Sequence, residues 1–508
     1  MSSPSPKQVR GALLVWTGLF LAGAGLRVLD AGHPVDGGVR ESWRECDYAA
    51  VARNFFREGM NILLPRIDWR GEGPGFAEME FPALPWTMAA LDKVFGYGEA
   101  RGRWLMVAAS LLTLIAFFAL ARSVLPPFGA LAASAVFVLN PLAVRVSNAL
   151  QPESLMLFFY VFAAYAFLRW LENESRTWYA LALVSTAMVV LVKIPAIHIG
   201  ILFLALLLWK KGAAALARPR VWLFGIGALV PGALWYLHAH RLWLVYGNSL
   251  GVSNEFHWFG LDLLIRPGAF IKLLINLAKM EVGLVWTPVG VAAVAAALIA
   301  LRKRPAVRLG LFWLAALLCY YFVTIRTTGD TWAAYYHVVS VPAAALLIGT
   351  AAAALLSWLR RTRPGVVPGL RIAIVALGLT AILGFEGIMV LRDLHPTWSQ
   401  GVYECALSFK PLIPEGALIL CSGGVSKDET GKPVAYNASY MFFWLDRKGF
   451  NIPSDLYSLD AVESYVRRGA RFFVLEKESL RDSPKFADEM KSRASLLAEC
   501  PKAYLFRF

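Results

Sequence analysis

The segment RESWRECDYAAVARNFFREGMNILLPRIDWRGEGPGFAEMEFPALPW, residues 40–86, lies between two long apolar segments at residues 11–29 and 104–121. Both apolar segments have the length that crosses a hydrocarbon core of about 30 Å. One membrane face is therefore predicted to carry residues 30–102 as a large loop. Residues 49–57 predict a short helix with one apolar and one basic side, which would lie in the headgroup plane. The loop also carries several carboxylates, among them Glu45, Asp47, Asp68, Glu78 and Glu80.

The composition excludes an ordinary soluble globular protein. Of 508 residues, 58% are hydrophobic and only 17% are charged, whereas soluble domains are about 45–50% apolar and about 25% charged. The net charge of +15 comes from short basic clusters between apolar segments. This distribution sets membrane orientation and does not indicate a nucleic-acid partner. Five cysteines show no CxxC or Cys/His spacing, so the sequence gives neither a zinc site nor a disulfide framework.

The pattern predicts a polytopic α-helical membrane protein with about eleven transmembrane helices. The basic clusters at residues 7–10, 169–176, 210–220, 302–308 and 360–371 all fall on one predicted face, which is therefore the cytoplasmic one. The first loop, a second long loop at residues 238–280 and the C-terminus are then predicted to lie outside. The predicted spans are residues 11–29, 104–121, 128–144, 153–170, 178–192, 194–209, 221–237, 282–301, 309–325, 334–359 and 372–391.

Residues 392–508 have a soluble composition and predict a small extracytoplasmic α/β domain after a membrane domain of residues 1–391. Residues 416–421, 470–475 and 504–508 predict buried strands. Residues 459–468 and 484–497 have helical periodicity. This domain shows no catalytic motif, and the interpretation is a structural appendage, with a lid or a partner-binding module as the alternative.

Four carboxylates are candidates for catalysis. Asp47 precedes the predicted amphipathic helix, where it could act as a general base or only cap the helix, and Glu45 is its rival. Glu80 is fixed in an extended segment ahead of Pro82; the alternative is an ion pair with Arg66 or Arg70. Glu153 begins a predicted span, where the helix dipole is a sufficient structural reason for a carboxylate.

Basic and aromatic residues at the predicted outer face are candidates for binding a lipid-linked phosphate. Lys193 lies at the tip of a predicted hairpin and would either contact that phosphate or snorkel to ordinary headgroups. The other candidates are Arg66, Arg326, Tyr336 and His337; His198 more simply lines the hairpin. A metal site built from carboxylates and one of His238, His240 or His337 is conceivable, but no spacing fixes its ligands.

The order of several short motifs resembles the GT-C class of membrane glycosyltransferases, near the bacterial aminoarabinose transferases and the protein O-mannosyltransferases. The motifs, in chain order, are ECDYAAVARN at 45–54, LPR at 64–66, EFP at 80–82, GR at 102–103, QPESL at 151–155, KIP at 193–195, YYH at 335–337, DRKG at 446–449 and GARFFV at 469–474. The resemblance implies that an acid of the first outer loop, Asp47 or Glu45, is the base or a metal contact, and that Glu153 assists. Aminoarabinose transferases have a lysine just before the prolines of the first loop. Here Phe81 takes that place, so Arg66, Lys193 or Arg326 would have to hold the phosphate.

The resemblance implies a polyprenyl-phosphate monosaccharide as the donor, an acceptor in the cell envelope, and work at the outer face of a bacterial inner membrane. A divalent cation such as Mg²⁺ or Mn²⁺ is compatible with the class, although the Glu at position 153, where the class usually has Asp, weakens a metal assignment. Two other functions remain open from the sequence. One is a flippase or exporter of polyprenyl-linked glycans, and the other is a non-catalytic scaffold for envelope assembly.

Overall fold

The computed structural model describes residues 6–29, 31–35, 42–253, 258–301, 305–331, 333–362, 367–393, 400–427 and 438–508. The chain forms two compact units. The first unit comprises Met1–Gly32, Arg103–Leu234 and Glu255–Leu394. The second unit comprises His33–Gly102, Trp235–Asn254 and His395–Phe508. The first loop is thus grouped with the C-terminal residues, whereas the sequence places it in the membrane domain; the predicted boundary after residue 391 stays a prediction.

In the described residues of the first unit, all regular secondary structure is helical. Eight of the described helical segments are long and apolar enough to cross a membrane, and Pro127–Leu139 and Arg176–Val192 are shorter apolar helices. The prediction of a polytopic helical membrane protein is confirmed, while the count of about eleven spans stays a prediction. The helices are Pro6–Val28, Arg101–Val124, Pro127–Leu139, Pro141–Arg145, Glu153–Asn173, Arg176–Val192, Ile199–Lys211, Pro219–Tyr246, Pro267–Met280, Pro288–Leu301, Pro305–Val323, Ile325–Thr328, Val341–Thr362 and Pro368–Asp393.

Two chain breaks in the first unit follow from local chemistry. Asn140 ends one helix and begins the next: its side-chain oxygen accepts hydrogen bonds from the Leu142 and Ala143 amides, both at 3.1 Å. The predicted span at residues 128–144 is therefore two helices, because a capping Asn followed by proline starts a new helix. Lys193 is extended, with φ −154° and ψ 93°, between a helix ending at Val192 and a 3₁₀ turn that contains Pro195. This break sets Lys193 off from both neighbouring helices.

The second unit combines helices with a five-stranded sheet. The helices are Ser42–Glu58, Ala83–Phe95, Gln400–Phe409, Tyr440–Leu445, Leu459–Arg467 and Phe486–Arg493. The strands are β1 Leu418–Ser422, β2 Lys448–Ile452, β3 Ala470–Glu476, β4 Ser495–Glu499 and β5 Ala503–Arg507.

The sheet has the strand order β2-β1-β3-β5-β4. Strands β1, β2 and β3 are parallel, and β5 runs antiparallel to β3 and β4. The inward side chains of the central strands form one core with the two C-terminal helices; it includes Leu420, Phe473, Phe486, Met490 and Phe506. The predicted small α/β domain is confirmed. All three predicted strands are present, and β2 and β4 were not predicted.

Glycine is required at position 449 in β2. A Cβ there would lie 1.8 Å from the Ile419 carbonyl oxygen of β1. The Gly449 amide donates to the Asp68 carbonyl oxygen at 3.2 Å, and the Gly71 amide donates to the Gly449 carbonyl oxygen at 2.6 Å. Residues 68–71 of the first loop are therefore joined to the edge of the sheet by backbone hydrogen bonds.

A disulfide joins Cys405 and Cys500, which are 95 residues apart in the chain. It links the helix Gln400–Phe409 to the end of β4. Among the described residues, Cys46, Cys319 and Cys421 are not part of a disulfide. This pair could not be predicted from the sequence, because neither cysteine lies in a short spacing motif.

Two local predictions in the loops are wrong. The helix Ser42–Glu58 does not present a free apolar face to headgroups: residues 44–55 are buried, and the helix packs against Ala83–Phe95 and Tyr440–Leu445. Its basic side is occupied because Arg53 and Arg57 pair with Asp446. The second long loop also begins later than residue 238, since the helix Pro219–Tyr246 carries His238 and His240.

Candidate active site

The second unit brings three predicted acids to one buried helix. Glu45 and Asp47 lie within Ser42–Glu58 and are 0% and 1% exposed. Asp47 is an interior residue of this helix, so the alternative that it caps the helix is wrong. Glu80 accepts hydrogen bonds from Arg44 at 3.2 Å and from the Tyr48 hydroxyl at 3.0 Å. Because positions 44 and 48 are one helical turn apart, the helix clamps the Glu80 carboxylate from one face.

Asp47 has the properties of a proton acceptor poised near neutral pH. Its Oδ1 accepts a hydrogen bond from the Trp69 indole N–H at 3.0 Å. Burial raises the pKa of its carboxyl from 3.8 to about 7, and the hydrogen bonds from Trp69 and Ser439 act in the opposite direction. Neighbouring Asp68 raises this pKa further, and Arg44 lowers it. A buried carboxyl with a pKa near the working pH is matched to general-base chemistry.

Asp68 anchors the loop that supplies Trp69. Its carboxylate accepts from Arg53 at 2.6 Å and from the Asn54 side chain at 2.8 Å. Arg53 also donates to the Phe443 carbonyl oxygen at 2.9 Å and lies 3.0 Å from Asp446. Asp68 is therefore neutralised and fixed, which favours a structural role for it beside Asp47.

The two arginines that the sequence offers as partners of Glu80 pair with another carboxylate, that of Glu58. Arg66 and Arg70 both pair with Glu58, at 3.7 Å and 2.9 Å, while Glu80 pairs with Arg44. The Arg66 guanidinium also lies over the Phe76 ring, 4.8 Å from its centroid. Glu80 thus forms an ion pair, as the alternative predicts, but its partner is Arg44 and not Arg66 or Arg70.

The first unit brings Glu153, Lys193 and Tyr336 together. Lys193 Nζ lies 3.0 Å from Glu153 Oε1, and the two side chains are only 4% and 1% exposed. The same ammonium lies over the Tyr336 ring at 4.6 Å and the Tyr335 ring at 5.4 Å. Lys193 is therefore a buried, paired cation, and the alternative that it snorkels to ordinary headgroups is wrong.

The two remaining predicted contacts of the first unit, Arg326 and His337, have protein partners. Arg326 pairs with Asp262. His337 Nε2 lies 2.8 Å from the Thr328 carbonyl oxygen, and Nδ1 lies 2.6 Å from Glu281 Oε1. The Glu281 carboxylate also accepts from Tyr321, Ser340 and Trp286. Because both nitrogens of His337 are engaged, its contact with substrate stays a prediction that this geometry does not favour.

His198 lines the interior of its hairpin, as the sequence indicates. It is 5% exposed, and Nε2 lies 2.8 Å from the Tyr160 hydroxyl. The Tyr160 hydroxyl in turn accepts from the Trp313 indole at 2.8 Å.

The described side chains do not form a metal site. Within the residues that the structure describes, no group of three or more His, Cys, Asp and Glu is placed to hold a metal ion. Glu80 and Asp68 are each bonded to an arginine. His240 lies 3.5 Å from Glu78, but Ser249 and Ser253 already donate to that carboxylate. Since Glu80, Asp68 and Glu78 are occupied by cations and hydroxyls, these three carboxylates do not fit the role of Mg²⁺ or Mn²⁺ ligands, and no chemical step is assigned to a metal.

Sequence reasoning missed Trp69 and Ser439 as contacts of Asp47. Trp69 lies in the same loop, where the motif IDWRG gives no period that would orient its ring. Ser439 is 392 positions further along the chain. In the sequence, the first loop and the region of Ser439 are connected only by the order of the motifs, in which DRKG at 446–449 follows the acidic loop.

Comparison with known proteins gives a family match over part of the chain and a shared fold over nearly all of it. Residues 79–236 match the family model described as dolichyl-phosphate-mannose-protein mannosyltransferase. No curated protein matches the chain by sequence. Solved structures match over nearly the whole chain. Because their sequence identities are low, this likeness establishes the fold alone.

Structures of three proteins carry this likeness. Apo ArnT from Cupriavidus metallidurans gives a TM-score of 0.60 at 14% identity over 98% of both chains. The same protein bound to undecaprenyl phosphate gives 0.57 at 15% identity, over 98% of this chain and 97% of ArnT. The Archaeoglobus fulgidus oligosaccharyltransferase in its apo form gives 0.58 at 12% identity, over 93% of this chain and 70% of that one. Mycobacterial arabinofuranosyltransferase AftD gives 0.53 at 14% identity, over 100% of this chain and 40% of AftD.

The A. fulgidus protein is an oligosaccharyltransferase, AftD is an arabinofuranosyltransferase, and one of the two ArnT structures holds undecaprenyl phosphate. By its fold, the chain is a multi-pass helical membrane protein similar to these glycosyltransferases, and residues 79–236 match the mannosyltransferase family model. The predicted resemblance in fold is confirmed, and the partial family match supports the predicted enzyme class. A further structure of the A. fulgidus oligosaccharyltransferase is a complex with Zn and sulfate, at a TM-score of 0.55 and 13% identity over 92% of this chain and 69% of that one.

Proposed function

We propose that this chain transfers a monosaccharide from a polyprenyl-phosphate donor to a hydroxyl acceptor of the cell envelope. Asp47 takes the proton of the acceptor hydroxyl as the acceptor oxygen forms a bond to the anomeric carbon. The bond between that carbon and the phosphate oxygen breaks, and polyprenyl phosphate leaves with the bonding electrons. The observation that carries the proposal is the buried Asp47 carboxyl, whose pKa is raised to about 7 within a GT-C fold.

The buried helix gives the base a fixed geometry. Asp47 Oδ1 is held by Trp69, so the carboxylate cannot rotate freely and Oδ2 is directed to one side. Glu80, held by Arg44 and Tyr48, is proposed to orient the acceptor through hydrogen bonds. Glu45, fully buried on the same helix, remains the rival base.

Lys193 is proposed to bind the donor phosphate. Its buried pairing with Glu153 keeps an ammonium ion in a place of low dielectric, where attraction to a phosphate is stronger than in water. The leaving polyprenyl phosphate gains negative charge as the sugar departs. The phosphate would then compete with Glu153 for the same ammonium, and the charge-assisted contact would strengthen during the reaction. Tyr336, Arg66 and Arg326 are proposed as further contacts.

The orientation of the chain is also proposed: N-terminus in the cytoplasm, and the first loop and C-terminal domain outside a bacterial inner membrane. The distribution of lysine and arginine between the spans supports this orientation. The Cys405–Cys500 disulfide supports it independently, because disulfides persist in oxidising compartments and are rare in the cytosol.

One experiment separates this enzyme from a flippase or a scaffold. The purified protein in detergent is given polyprenyl-phosphate monosaccharides labelled in the sugar, together with an envelope extract as acceptor. A glycosyltransferase releases polyprenyl phosphate and moves the label to the acceptor. A flippase or a scaffold leaves the donor intact in detergent, and that result would refute the proposal.

A further inference from the structure

Three of the helices that are long and apolar enough to cross a membrane meet at one open cavity of the first unit. Glu153–Asn173 and Ile199–Lys211 reach it with their last turns, and Pro219–Tyr246 reaches it with its first turn. Its volume is about 400 Å³, which includes the solvent at its mouth. Trp170 in its wall follows Glu153 by about 25 Å along the helix, at a rise of about 1.5 Å per residue. The cavity is therefore separate from the Lys193–Glu153 pair.

The inner wall of this cavity is apolar. Trp170, Leu171 and Leu207 line it and are buried, so they form a fixed surface. Leu208 and Trp222, which neighbour the lining residues Leu207 and Val221 in the chain, are exposed. Exposed apolar side chains on membrane-crossing helices face acyl chains, and tryptophan is enriched where these chains meet the headgroups. The apolar wall thus lies at the depth where a lipid changes from headgroup to acyl chain.

The mouth of the cavity is basic. Lys211, Arg218 and Arg220 line it together with a single carboxylate, that of Glu174. Lys211 Nζ lies 2.6 Å from Glu174 Oε1, and Arg218 lies 3.5 Å from the same oxygen. Arg220 forms no ion pair with the residues that the structure describes. One carboxylate therefore faces three cations, and the mouth keeps an excess of positive charge.

Cations above an apolar wall match a ligand that carries a phosphate and acyl chains. Lysine and arginine are the side chains that bind phosphate groups by charge-assisted hydrogen bonds. Basic pockets between the cytoplasmic ends of membrane helices suit anionic lipid headgroups. A small soluble anion would use the cations but would leave the buried apolar wall without a contact. The anionic phospholipid is the ligand that uses both parts.

We propose that this cavity binds an anionic phospholipid, with its phosphate between Arg218 and Arg220 and its acyl chains along the wall that contains Leu207. In the proposed orientation of the chain, the lipid belongs to the inner leaflet. The bound lipid joins the ends of three helices, and Glu174 competes with its phosphate for Lys211 and Arg218. The inference goes beyond the proposed transfer reaction, and it holds or fails without a sugar donor.

The test is a titration of the purified full-length protein, in a non-ionic detergent, with dioctanoyl phosphatidylglycerol. Native mass spectrometry measures the fraction of protein that carries one lipid. Dioctanoyl phosphatidylcholine, which has the same chains and no net charge, and inorganic phosphate, which has charge and no chains, are titrated in parallel. We expect saturable binding of phosphatidylglycerol alone. Equal binding of phosphatidylcholine, or displacement of phosphatidylglycerol by equimolar inorganic phosphate, would overturn the proposal.

Two arginine variants test whether the lipid binds in the cavity. Arg220→Gln should weaken the binding of phosphatidylglycerol about fivefold, the scale of one basic residue at a membrane surface. Arg176→Gln is the matched control, because Arg176 is an exposed cation of the same face that does not line the cavity. It should leave the affinity unchanged. An equal loss in both variants would mean a diffuse attraction to surface charge and would overturn the proposal.

Two carboxylate variants should show the opposite effect at the same place. Glu174→Gln removes the carboxylate that competes with the phosphate and should tighten the binding of phosphatidylglycerol severalfold. Glu172→Gln is its control, since Glu172 pairs with Arg169 and Lys210 and does not line the cavity. Both variants change the net charge by the same amount, so only a site in the cavity predicts a difference between them. Equal affinities of the two variants would contradict the proposed position of the phosphate.

Discussion

Replacing Lys193 by Met should destabilise the first unit strongly, because it leaves the Glu153 carboxylate buried without its cation. The two side chains are 4% and 1% exposed, and Nζ and Oε1 are 3.0 Å apart. At that distance and an effective dielectric constant of 20, Coulomb's law gives an attraction of about 5 kcal/mol. Removing one partner of a buried pair typically costs about 3–5 kcal/mol, because the other charge stays buried. We expect a loss in that range in the free energy of unfolding.

The double variant Lys193→Met/Glu153→Gln isolates the cause of that loss. Once both charges are gone, no unpaired charge is buried, and most of the lost stability should return. Lys211→Met serves as the matched control, since the Lys211–Glu174 pair has side chains that are 25% and 52% exposed. Exposed pairs contribute about 0–1 kcal/mol.

The assay is denaturant unfolding in a single detergent, followed by tryptophan fluorescence. A Lys193→Met protein as stable as the Lys211→Met control would refute the reasoning, because it would mean that the Glu153 carboxylate is not held as a buried charge. A double variant no more stable than Lys193→Met would point to lost packing instead of lost charge.

Three other outcomes are expected from the second unit. Asp47→Asn should be more stable than the wild type at pH 8, by up to about 4 kcal/mol, since one pKa unit corresponds to about 1.4 kcal/mol and burial raises this pKa from 3.8 to about 7. Between pH 3.8 and about 7, the folded wild type binds more protons than the unfolded chain, so the stability advantage of Asp47→Asn should shrink as the pH falls and vanish near pH 4. Equal stability of the two proteins at pH 8 would contradict this prediction. Replacing Cys405 and Cys500 by serine should cost about 2–5 kcal/mol, read from urea unfolding with and without reductant, and reductant should not affect the double variant. A reporter active only in the cytoplasm, fused after Phe508, should stay silent; activity there would reverse the proposed orientation.

The sequence was sufficient for the membrane fold and for most helices, because both depend on local signals. An apolar segment of about 20 residues can be recognised from one sequence alone. The order of short loop motifs, such as EFP at 80–82 and KIP at 193–195, can be read from one sequence in the same way. The parallel strands β1 and β3 were also predicted, since a short apolar run is typical of a buried strand. Strand β2 was missed because Lys448 and Gly449 interrupt its apolar pattern.

The site contacts could not be predicted, because they join residues that are far apart in the chain. The basic face of the helix Ser42–Glu58 is the sequence pattern of a headgroup-binding helix, yet Arg53 is buried against Asp68 and Asp446. A buried, paired arginine and a solvated one look identical in a single sequence. For the same reason, Lys193 could be located at a helix end but not paired with Glu153, 40 positions earlier.

The most direct test of the central claim is the rate at which the purified protein releases polyprenyl phosphate from a labelled polyprenyl-phosphate monosaccharide, compared among the wild type, Asp47→Asn and Glu45→Gln at pH 8. Loss of a general base typically costs about 10²–10⁴ in rate, or roughly 3–5 kcal/mol of barrier. The account predicts that loss in Asp47→Asn, in a protein that is folded and at least as stable as the wild type. Normal turnover in Asp47→Asn with an inactive Glu45→Gln would assign the base to Glu45, and normal turnover in both would contradict a catalytic role for this helix.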